Sequence, residues 1–181
     1  MNHSKRICVF SGSSLGNNKK FIDIAVELGT LLATNAITLI YGAGDVGLMG
    51  KIAKSSLDNG GYVIGIIPTF LQSIEGTLAN LSELIVTKNI HERKEKMYQL
   101  TDIYIAFPGG LGTLEEVTEV LSWQKLGVHT KPIIFLNIDG FWNNFFKMLE
   151  QLITAGFLKK EFLTQLVVIS SVAELKTKLE V

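Results

Sequence analysis

Two charged side chains in this sequence have positions suited to chemistry, a glutamate and an arginine. Glu116 follows the glycine-rich run at residues 108–113 (PGGLGT) and begins a helical pattern in which Val120 and Trp123 would share its face. A carboxylate in such a partly apolar setting can have its pKa tuned, and it can stabilise positive charge that develops at a reacting carbon. We therefore expect Glu116 to take part in catalysis.

The same glutamate also fits a purely structural role. Thr113-Leu114-Glu115-Glu116 is a T-x-x-E capping box, in which Thr113 would cap the helix and Glu116 would bond back to it. A cap alone needs none of the three glycines that precede Thr113, so the catalytic interpretation is favoured.

The arginine belongs to a charged run, residues 91–96 (HERKEK), that would ordinarily be a solvent-exposed helix start. Arg93 nevertheless falls on the inward stripe of the predicted helix, between Ile90 and Met97. A guanidinium directed inward needs an anionic partner, because an unpaired buried charge costs about 3 to 5 kcal/mol. A phosphate group or Glu116 would serve, whereas the alternative is an arginine that extends along the helix to water.

Three glycine-rich loops each follow a predicted strand and lead into a predicted helix. They span residues 11–16 (SGSSLG), 42–47 (GAGDVG) and 108–113, and Gly12, Ser13 and Gly44 are candidate ligand contacts in the first two. Glycine allows close approach of the backbone to a ligand, and a helix N-terminus offers unpaired N–H groups and a positive dipole end. Phosphate is the anion that such loops are best suited to bind.

The second loop also matches the dinucleotide fingerprint G-x-G-x-x-G through Gly42, Gly44 and Gly47. That fingerprint requires an acidic residue near the end of the next strand, and residues 62–68 (YVIGIIP) contain none. A P-loop is excluded as well, because Gly50-Lys51 is followed by isoleucine. These glycines therefore indicate either a phosphate contact or a tight turn with close helix packing.

Short β-branched runs alternate with longer helical patterns, and this alternation predicts an α/β fold with a doubly wound parallel sheet of about seven strands. The predicted strands are Ile7–Phe10, Ile37–Tyr41, Tyr62–Ile67, Leu84–Thr87, Ile103–Phe107, Ile133–Leu136 and Leu166–Ile169. The predicted helices are Lys19–Thr34, Val46–Asn59, Ile90–Leu100, Leu114–Gly127, Phe141–Ala155 and Val172–Leu179. Strands such as 103–107 are apolar throughout, which requires helices on both faces of the sheet. Residues 72–80 are expected to form a surface connection.

Composition limits the partners and the compartment. The 181 residues fit a single domain over 1–181, and equal numbers of basic and acidic residues, 17 of each, give no basic field for a nucleic acid. The polar start of the chain and its short first apolar run predict neither a signal sequence nor a membrane span, so we expect a cytoplasmic protein. The single cysteine, Cys8, is expected to pack in the core, and the three histidines lack metal-ligand spacing.

Four motifs, in order, give the sequence a nearly full-length resemblance to a known family. They are residues 7–14 (ICVFSGSS), 41–50 (YGAGDVGLMG), 91–94 (HERK) and 108–116 (PGGLGTLEE). The last resembles the PGGxGTxxE signature of the LOG family, the cytokinin riboside 5'-monophosphate phosphoribohydrolases, long named lysine decarboxylases. The resemblance implies a homodimeric Rossmann-like fold that binds AMP or an N6-modified relative and cleaves it between base and ribose, with no metal or organic cofactor.

The resemblance also assigns roles to individual residues. Glu116 is the signature glutamate, Arg93 is the essential arginine, and Lys94 lies beside it in the nucleotide site. The other substrate contacts that the resemblance implies are Gly109, Leu114 and Glu115, the phosphate-binding residues Gly110, Leu111, Gly112 and Thr113, Glu75 as a nucleotide-contacting glutamate, and Ser122 where the family usually has threonine.

Two positions depart from the family pattern. Ala43 replaces the middle glycine of the usual GGG, which restricts the loop if this position needs a positive φ. Ile90 replaces methionine before the His-x-Arg-Lys run, an exchange of one apolar residue for another.

Together these features predict hydrolysis of the N-glycosidic bond of a purine nucleoside 5'-monophosphate to free base and ribose 5-phosphate. Such cleavage passes through an oxocarbenium-like state, which Glu116 would stabilise while it orients water. One alternative is a module that binds AMP without turnover. Another is a pyridoxal-phosphate-dependent lysine decarboxylase, which the small chain and the lack of a recognisable Schiff-base lysine argue against. An apolar helix surface could be core or dimer interface, and it comprises Val117, Val120, Leu121 and Trp123.

Overall fold

A seven-stranded sheet forms the centre of the computed structural model, which describes residues 5–181 apart from the side chains of residues 73–75. The strands are β1 (Arg6–Phe10), β2 (Thr38–Tyr41), β3 (Val63–Pro68), β4 (Glu83–Thr87), β5 (Ile103–Ala106), β6 (Ile133–Leu136) and β7 (Val167–Ile169). Their order is β4-β3-β2-β1-β5-β6-β7, and every neighbouring pair is parallel. The winding direction reverses between β1 and β5, so a ligand crevice is expected beyond their carboxyl ends.

Within the described residues, six α-helices lie between successive strands and a seventh follows the last strand. They are α1 (Lys19–Thr34), α2 (Gly47–Asp58), α3 (Thr69–Glu75), α4 (Ile90–Leu100), α5 (Leu111–Lys125), α6 (Asn143–Thr154) and α7 (Val172–Leu179), with 3₁₀ turns at Ile138–Gly140 and Lys160–Gln165. The predicted bounds of α1, α4 and α7 are confirmed, and each strand begins and ends within one residue of its predicted position.

Strand residues alternate between two apolar clusters, one on each face of the sheet. In β1, Ile7 and Val9 belong to the cluster covered by α1, α2 and α7, whereas Cys8 and Phe10 belong to the cluster covered by α4, α5 and α6. The predicted doubly wound sheet with helices on both faces is therefore confirmed. Cys8 is fully buried, as expected, and burial followed by the charge of Glu116 raises the pKa of its thiol well above the usual value.

The apolar surface of α5 is core. Val117 and Val120 are completely buried, Leu121 is nearly so, and Trp123 packs its ring edge against Tyr98 at 4.4 Å between centroids. Of the two interpretations that the sequence left open, the core is correct. The homodimer stays a prediction, and it no longer has this surface as support.

The segment expected to be a surface connection, residues 72–80, begins within a helix that was not predicted. α3 continues to Glu75 and ends at Gly76, which has a positive φ of 66°. A helix of seven residues is too short to show the apolar periodicity on which the prediction depended. In the described part of the chain, no helix has the length and apolar character that crossing a bilayer requires.

Candidate active site

The three glycine-rich loops lie side by side at the carboxyl edge of the sheet, and the first is hydrogen-bonded to the third and to the helix that follows the second. The amide of Gly12 donates to the carbonyl of Pro108 at 3.1 Å, and the amides of Leu48 and Met49 donate to the carbonyl of Gly12 at 3.0 and 3.2 Å. The first loop is therefore fixed between the other two, above the adjacent ends of β2, β1 and β5.

Glycine is required where these loops touch. A Cβ on Gly109 would come within 2.7 Å of the Gly12 amide nitrogen, and a Cβ on Gly12 would lie 3.2 Å from the Gly109 Cα. Gly47 has a φ of 67°, and a Cβ there would collide with the backbone of Ser13. Gly12 and Gly44 are buried. Gly12, Gly44 and Gly109 are not among the residues that line the cavity beside these loops.

The helices that follow the loops differ in what their N-termini bind. The first amides of α2 are occupied by the carbonyls of the first loop, as described above. α1 begins beyond its loop and is capped by Asn18, whose side chain accepts from the Lys20 amide at 3.0 Å. In contrast, no side chain caps α5 within the described residues. The N-terminus of α5 is therefore the one best able to bind an external anion.

The predicted capping box at this helix is wrong. α5 begins at Leu111, with Gly110 as N-cap residue, so Thr113 lies inside the first turn and Glu116 in the second. Gly110 adopts an extended conformation with ψ of −154°, so the cap lies three residues before the expected position, Thr113. Thr113 is 3% exposed and Glu116 is half-buried. The competing structural explanation for Glu116 is thereby removed.

A cavity of about 200 Å³ opens at this N-terminus, and most of the predicted site residues line it. Predicted residues that line it are Ser13, Arg93, Lys94, Gly110, Leu111, Gly112, Thr113, Glu115 and Glu116. Ser11, Met49 and Ile90 also line it and had not been assigned to the site. Ile90 was recognisable in principle, because it lies one helical turn before Arg93 on the same face of α4.

Besides Gly12, Gly44 and Gly109, three further predicted contacts are not shown at this cavity. Leu114 packs partly buried against the core cluster beneath α5. Ser122 is exposed and lines a different cavity, between α5 and α6, because six residues after Glu116 a helix has turned by roughly 240°. The side chain of Glu75 lies outside the described residues.

Arg93 points inward, as its spacing predicted. It is 8% exposed, and its Nη2 donates to the carbonyl of Gly42 at 3.3 Å. Its Nε is buried and has no hydrogen-bond partner among the residues that the structure describes. A side chain on Gly42 would collide with the guanidinium, which explains this glycine. The alternative of an arginine extended to water is wrong, and a buried donor remains for a ligand of the cavity.

Lys94, the next residue, is held by carboxylates of α5. Its Nζ lies 2.6 Å from Glu115 Oε1 and 3.0 Å from Glu119 Oε1, and its side chain is 9% exposed. The hydroxyl of Tyr98 donates to the second oxygen of Glu119. Burial lowers the pKa of Lys94, but the hydrogen bonds that its ammonium donates to Glu115 and Glu119 outweigh burial and raise the pKa above its usual value. The ammonium therefore stays charged at neutral pH.

The departure at Ala43 falls at a position that does need a positive φ. Ala43 has a φ of 66° and is completely buried. An L-residue in this region is strained by about 1 to 2 kcal/mol. The second loop therefore keeps the backbone shape suited to glycine although the residue has changed.

Comparison with known proteins identifies relatives of this chain. A family model described as possible lysine decarboxylase matches residues 49–179. The chain is 42% identical over 176 residues to the cytokinin riboside 5'-monophosphate phosphoribohydrolase LOG1 of Arabidopsis thaliana, covering 97% of this chain and 83% of that protein. The chain belongs to the LOG family.

Other relatives support this membership and the fold. A probable cytokinin riboside 5'-monophosphate phosphoribohydrolase, LOGL9 of Oryza sativa subsp. japonica, is 43% identical, covering 85% of this chain and 68% of the other. Among solved structures, the molybdenum cofactor binding protein of Rippkaea orientalis matches with a TM-score of 0.71 and 25% identity over the full length of both chains. The fold of this chain is thus shared with a protein whose name describes cofactor binding.

Proposed function

We propose that this chain hydrolyses the N-glycosidic bond of a purine nucleoside 5'-monophosphate and releases free base and ribose 5-phosphate. AMP and its N6-modified relatives, including cytokinin riboside monophosphates, are the substrates we propose. Its LOG-family relatives carry the name of this activity over nearly the whole length of the chain. Catalysis needs no metal or organic cofactor in this proposal, and the protein acts as a cytoplasmic homodimer.

The observation that carries the proposal is the composition of one cavity. The uncapped N-terminus of α5, the guanidinium of Arg93 with its unpartnered Nε, and the carboxylate of Glu116 all line it. The first two favour an anion, whereas a carboxylate would repel one. A ligand that is anionic at one end and develops positive charge at the other satisfies all three, and a nucleotide losing its base is such a ligand.

The 5'-phosphate in this mechanism binds at the amides of Leu111, Gly112 and Thr113. Binding energy from this non-reacting group positions the sugar, so that the carboxylate of Glu116 faces the anomeric carbon. As the bond to the base lengthens, Glu116 stabilises the oxocarbenium-like sugar and orients the attacking water. Arg93 balances the negative charges that the phosphate and glutamates bring into a small volume.

Two other functions have less support. A nucleotide-binding module without turnover has no use for a half-buried carboxylate beside the anion site, where it would weaken anion binding. A pyridoxal-phosphate enzyme needs a lysine that can become a neutral amine, and Lys94, the lysine of this cavity, has its pKa raised by Glu115 and Glu119. The carboxylates therefore favour hydrolysis over both.

The test measures by chromatography how much free base the protein releases from AMP, N6-isopentenyl-AMP and adenosine. We expect free base from the two nucleotides and at least about a hundredfold lower kcat/KM for adenosine, which lacks the phosphate. Glu116→Gln is expected to lower kcat roughly a hundredfold. Glu150→Gln, an exposed glutamate of α6, serves as the control and keeps full activity. Binding without release of base from either nucleotide would reject the enzyme in favour of a binding module.

A further inference from the structure

The ammonium of Lys94 has two carboxylate partners that differ in their surroundings. The side chain of Glu115 is 55% exposed, whereas that of Glu119 is 25% exposed. Glu115 lines the cavity, whereas Glu119 lies one turn further along α5 and is not among the lining residues. The exposed partner is therefore accessible to a ligand, and the less exposed one is not a cavity residue.

Glu119 is itself fixed from behind. One of its oxygens binds Lys94, and the other accepts a hydrogen bond from the Tyr98 hydroxyl. Tyr98 is 7% exposed, and its ring packs against Trp123 and Tyr104 in the core. Its backbone carbonyl accepts a hydrogen bond from Lys131. Glu119 thus has two partners that hold its carboxylate in one orientation.

The contact with Glu115 has no comparable support. Glu115 is more than half exposed, and an exposed ion pair is worth at most about 1 kcal/mol. A phosphate or ribose oxygen could replace Glu115 as a partner of Lys94, because the exchange leaves the ammonium bonded to Glu119. The cluster therefore has one permanent contact and one exchangeable contact.

From this asymmetry we infer that Glu119 is a positioning residue, which fixes the Lys94 ammonium in the nucleotide site while Glu115 exchanges its contact for substrate. Tyr98 in turn fixes Glu119. The inference rests on the proposed function, because it places substrate in the cavity that Lys94 lines. Other charged groups around the ammonium are Arg93 on α4 and Glu116 on α5, which line the same cavity.

The first experiment measures Lys94 without requiring any hydrolysis. Acetylation of individual lysines by acetic anhydride is followed by mass spectrometry between pH 7 and pH 10 in the unliganded protein. Glu119→Gln removes a charge that keeps Lys94 protonated, so Lys94 is expected to react about tenfold faster at neutral pH. Lys147, exposed on α6, serves as internal reference and keeps its rate. An unchanged reference and melting temperature show that the fold is intact.

The second experiment measures steady-state AMP hydrolysis by the same variants. Glu119→Gln is expected to raise KM about tenfold with a smaller change in kcat, because Lys94 loses its fixed orientation. Tyr98→Phe is expected to raise KM about threefold, since it loosens Glu119 without removing its charge. Glu95→Gln is the matched control, a glutamate on the exposed face of α4 that bonds Gln99, and it leaves KM unchanged.

Three results would overturn the inference. They are an unchanged acetylation rate of Lys94 in Glu119→Gln, an unchanged KM in that variant, and an equal effect of Glu95→Gln. If the wild-type protein releases no base from AMP, the proposed function fails, and the acetylation rates still decide whether Glu119 fixes Lys94.

Discussion

The N-termini of α2 and α5 look alike in sequence and differ in the folded protein. Each follows a buried strand and a glycine-rich loop, and each lies at the carboxyl edge of the sheet. At α2 the first amides bind the carbonyls of Gly12 and Ser14, whereas α5 has no side-chain cap within the described residues and borders the cavity. The start of α2 is thus occupied by backbone of the first loop, and the start of α5 is where we propose that the substrate phosphate binds. A glycine-rich loop in a sequence indicates that the backbone closely approaches another group. Only the structure shows whether that group is another part of the chain or a ligand.

Arg93 joins the two regions, and its loss should have the largest effect. Its guanidinium lines the cavity at α5 and binds the carbonyl of Gly42 in the loop before α2. Arg93→Ala is expected to lower kcat/KM for AMP by roughly a hundredfold or more, and Arg93→Lys should not restore it, because lysine lacks the planar fork of donors. Arg6→Ala, on β1, is the control. Near-normal hydrolysis in a folded Arg93→Ala protein would remove this residue from the mechanism.

Alanine at one glycine of each helix start tests the comparison directly. Gly47→Ala places a Cβ in a left-handed conformation against the Ser13 backbone, so the free energy of unfolding should fall by about 2 kcal/mol or more. Gly112→Ala meets no atom within 4 Å and improves helix propensity, so stability should hold or rise while KM for AMP increases about tenfold. Denaturant unfolding and steady-state kinetics measure both. A loss of stability in Gly112→Ala with an unchanged KM would reverse the assignment of the two regions.

A smaller effect is expected from restoring the family's glycine in the second loop. Ala43→Gly releases about 1 to 2 kcal/mol of backbone strain and loses the burial of one methyl group, about 0.8 kcal/mol. The two nearly cancel, so the free energy of unfolding should change by less than about 1 kcal/mol, with kcat unchanged. Urea titration measures the difference. A destabilisation above about 2 kcal/mol would mean that the methyl contacts outweigh the strain.

The smallest effect concerns the opposite end of α5. His129 Nε2 lies 2.9 Å from the Val120 carbonyl, and its Nδ1 accepts from the Lys131 amide, so the ring is held neutral. Burial outweighs the Val120 bond and lowers its pKa below the usual 6.5. The unfolded chain therefore binds a proton first, and this contribution to stability is present above pH 6.5 and lost as pH falls through the lower folded pKa. Unfolding curves between pH 5 and pH 7 should show a flatter dependence in His129→Gln, and an equal slope would exclude this role.

Much of the fold was predictable because its signals are local. Unbroken apolar runs such as Ile133–Leu136 define the buried strands, and the position of Arg93 between Ile90 and Met97 showed that it points inward. The start of α5 was not predictable, because Thr113 satisfies the pattern of a cap and only the conformation at Gly110 shows that the helix has already begun. The local sequence pattern predicts a helix start at Thr113, whereas the extended conformation of Gly110 places it at Leu111.

The contacts that complete the site join residues far apart in the chain, and the sequence does not show them. The bonds from Leu48 and Met49 to Gly12 depend on how the first two loops pack, and Lys94 meets Glu119 only because α4 and α5 lie side by side. Glu119 carried no signal beyond its position four residues after Glu115. Ser122 and Glu75 remain predictions, which rest on the resemblance to the LOG family.

The row of hydrogen bonds through the three loops constrains how the protein can be changed. Gly12 accepts from the first turn of α2 on one side and donates to the third loop on the other, so a residue inserted into any one loop would break its register with its neighbours. Substrate specificity is therefore expected to change through exchange of side chains around the cavity, such as Ile90. Loops transplanted from a relative should give a folded protein only when all three are exchanged together.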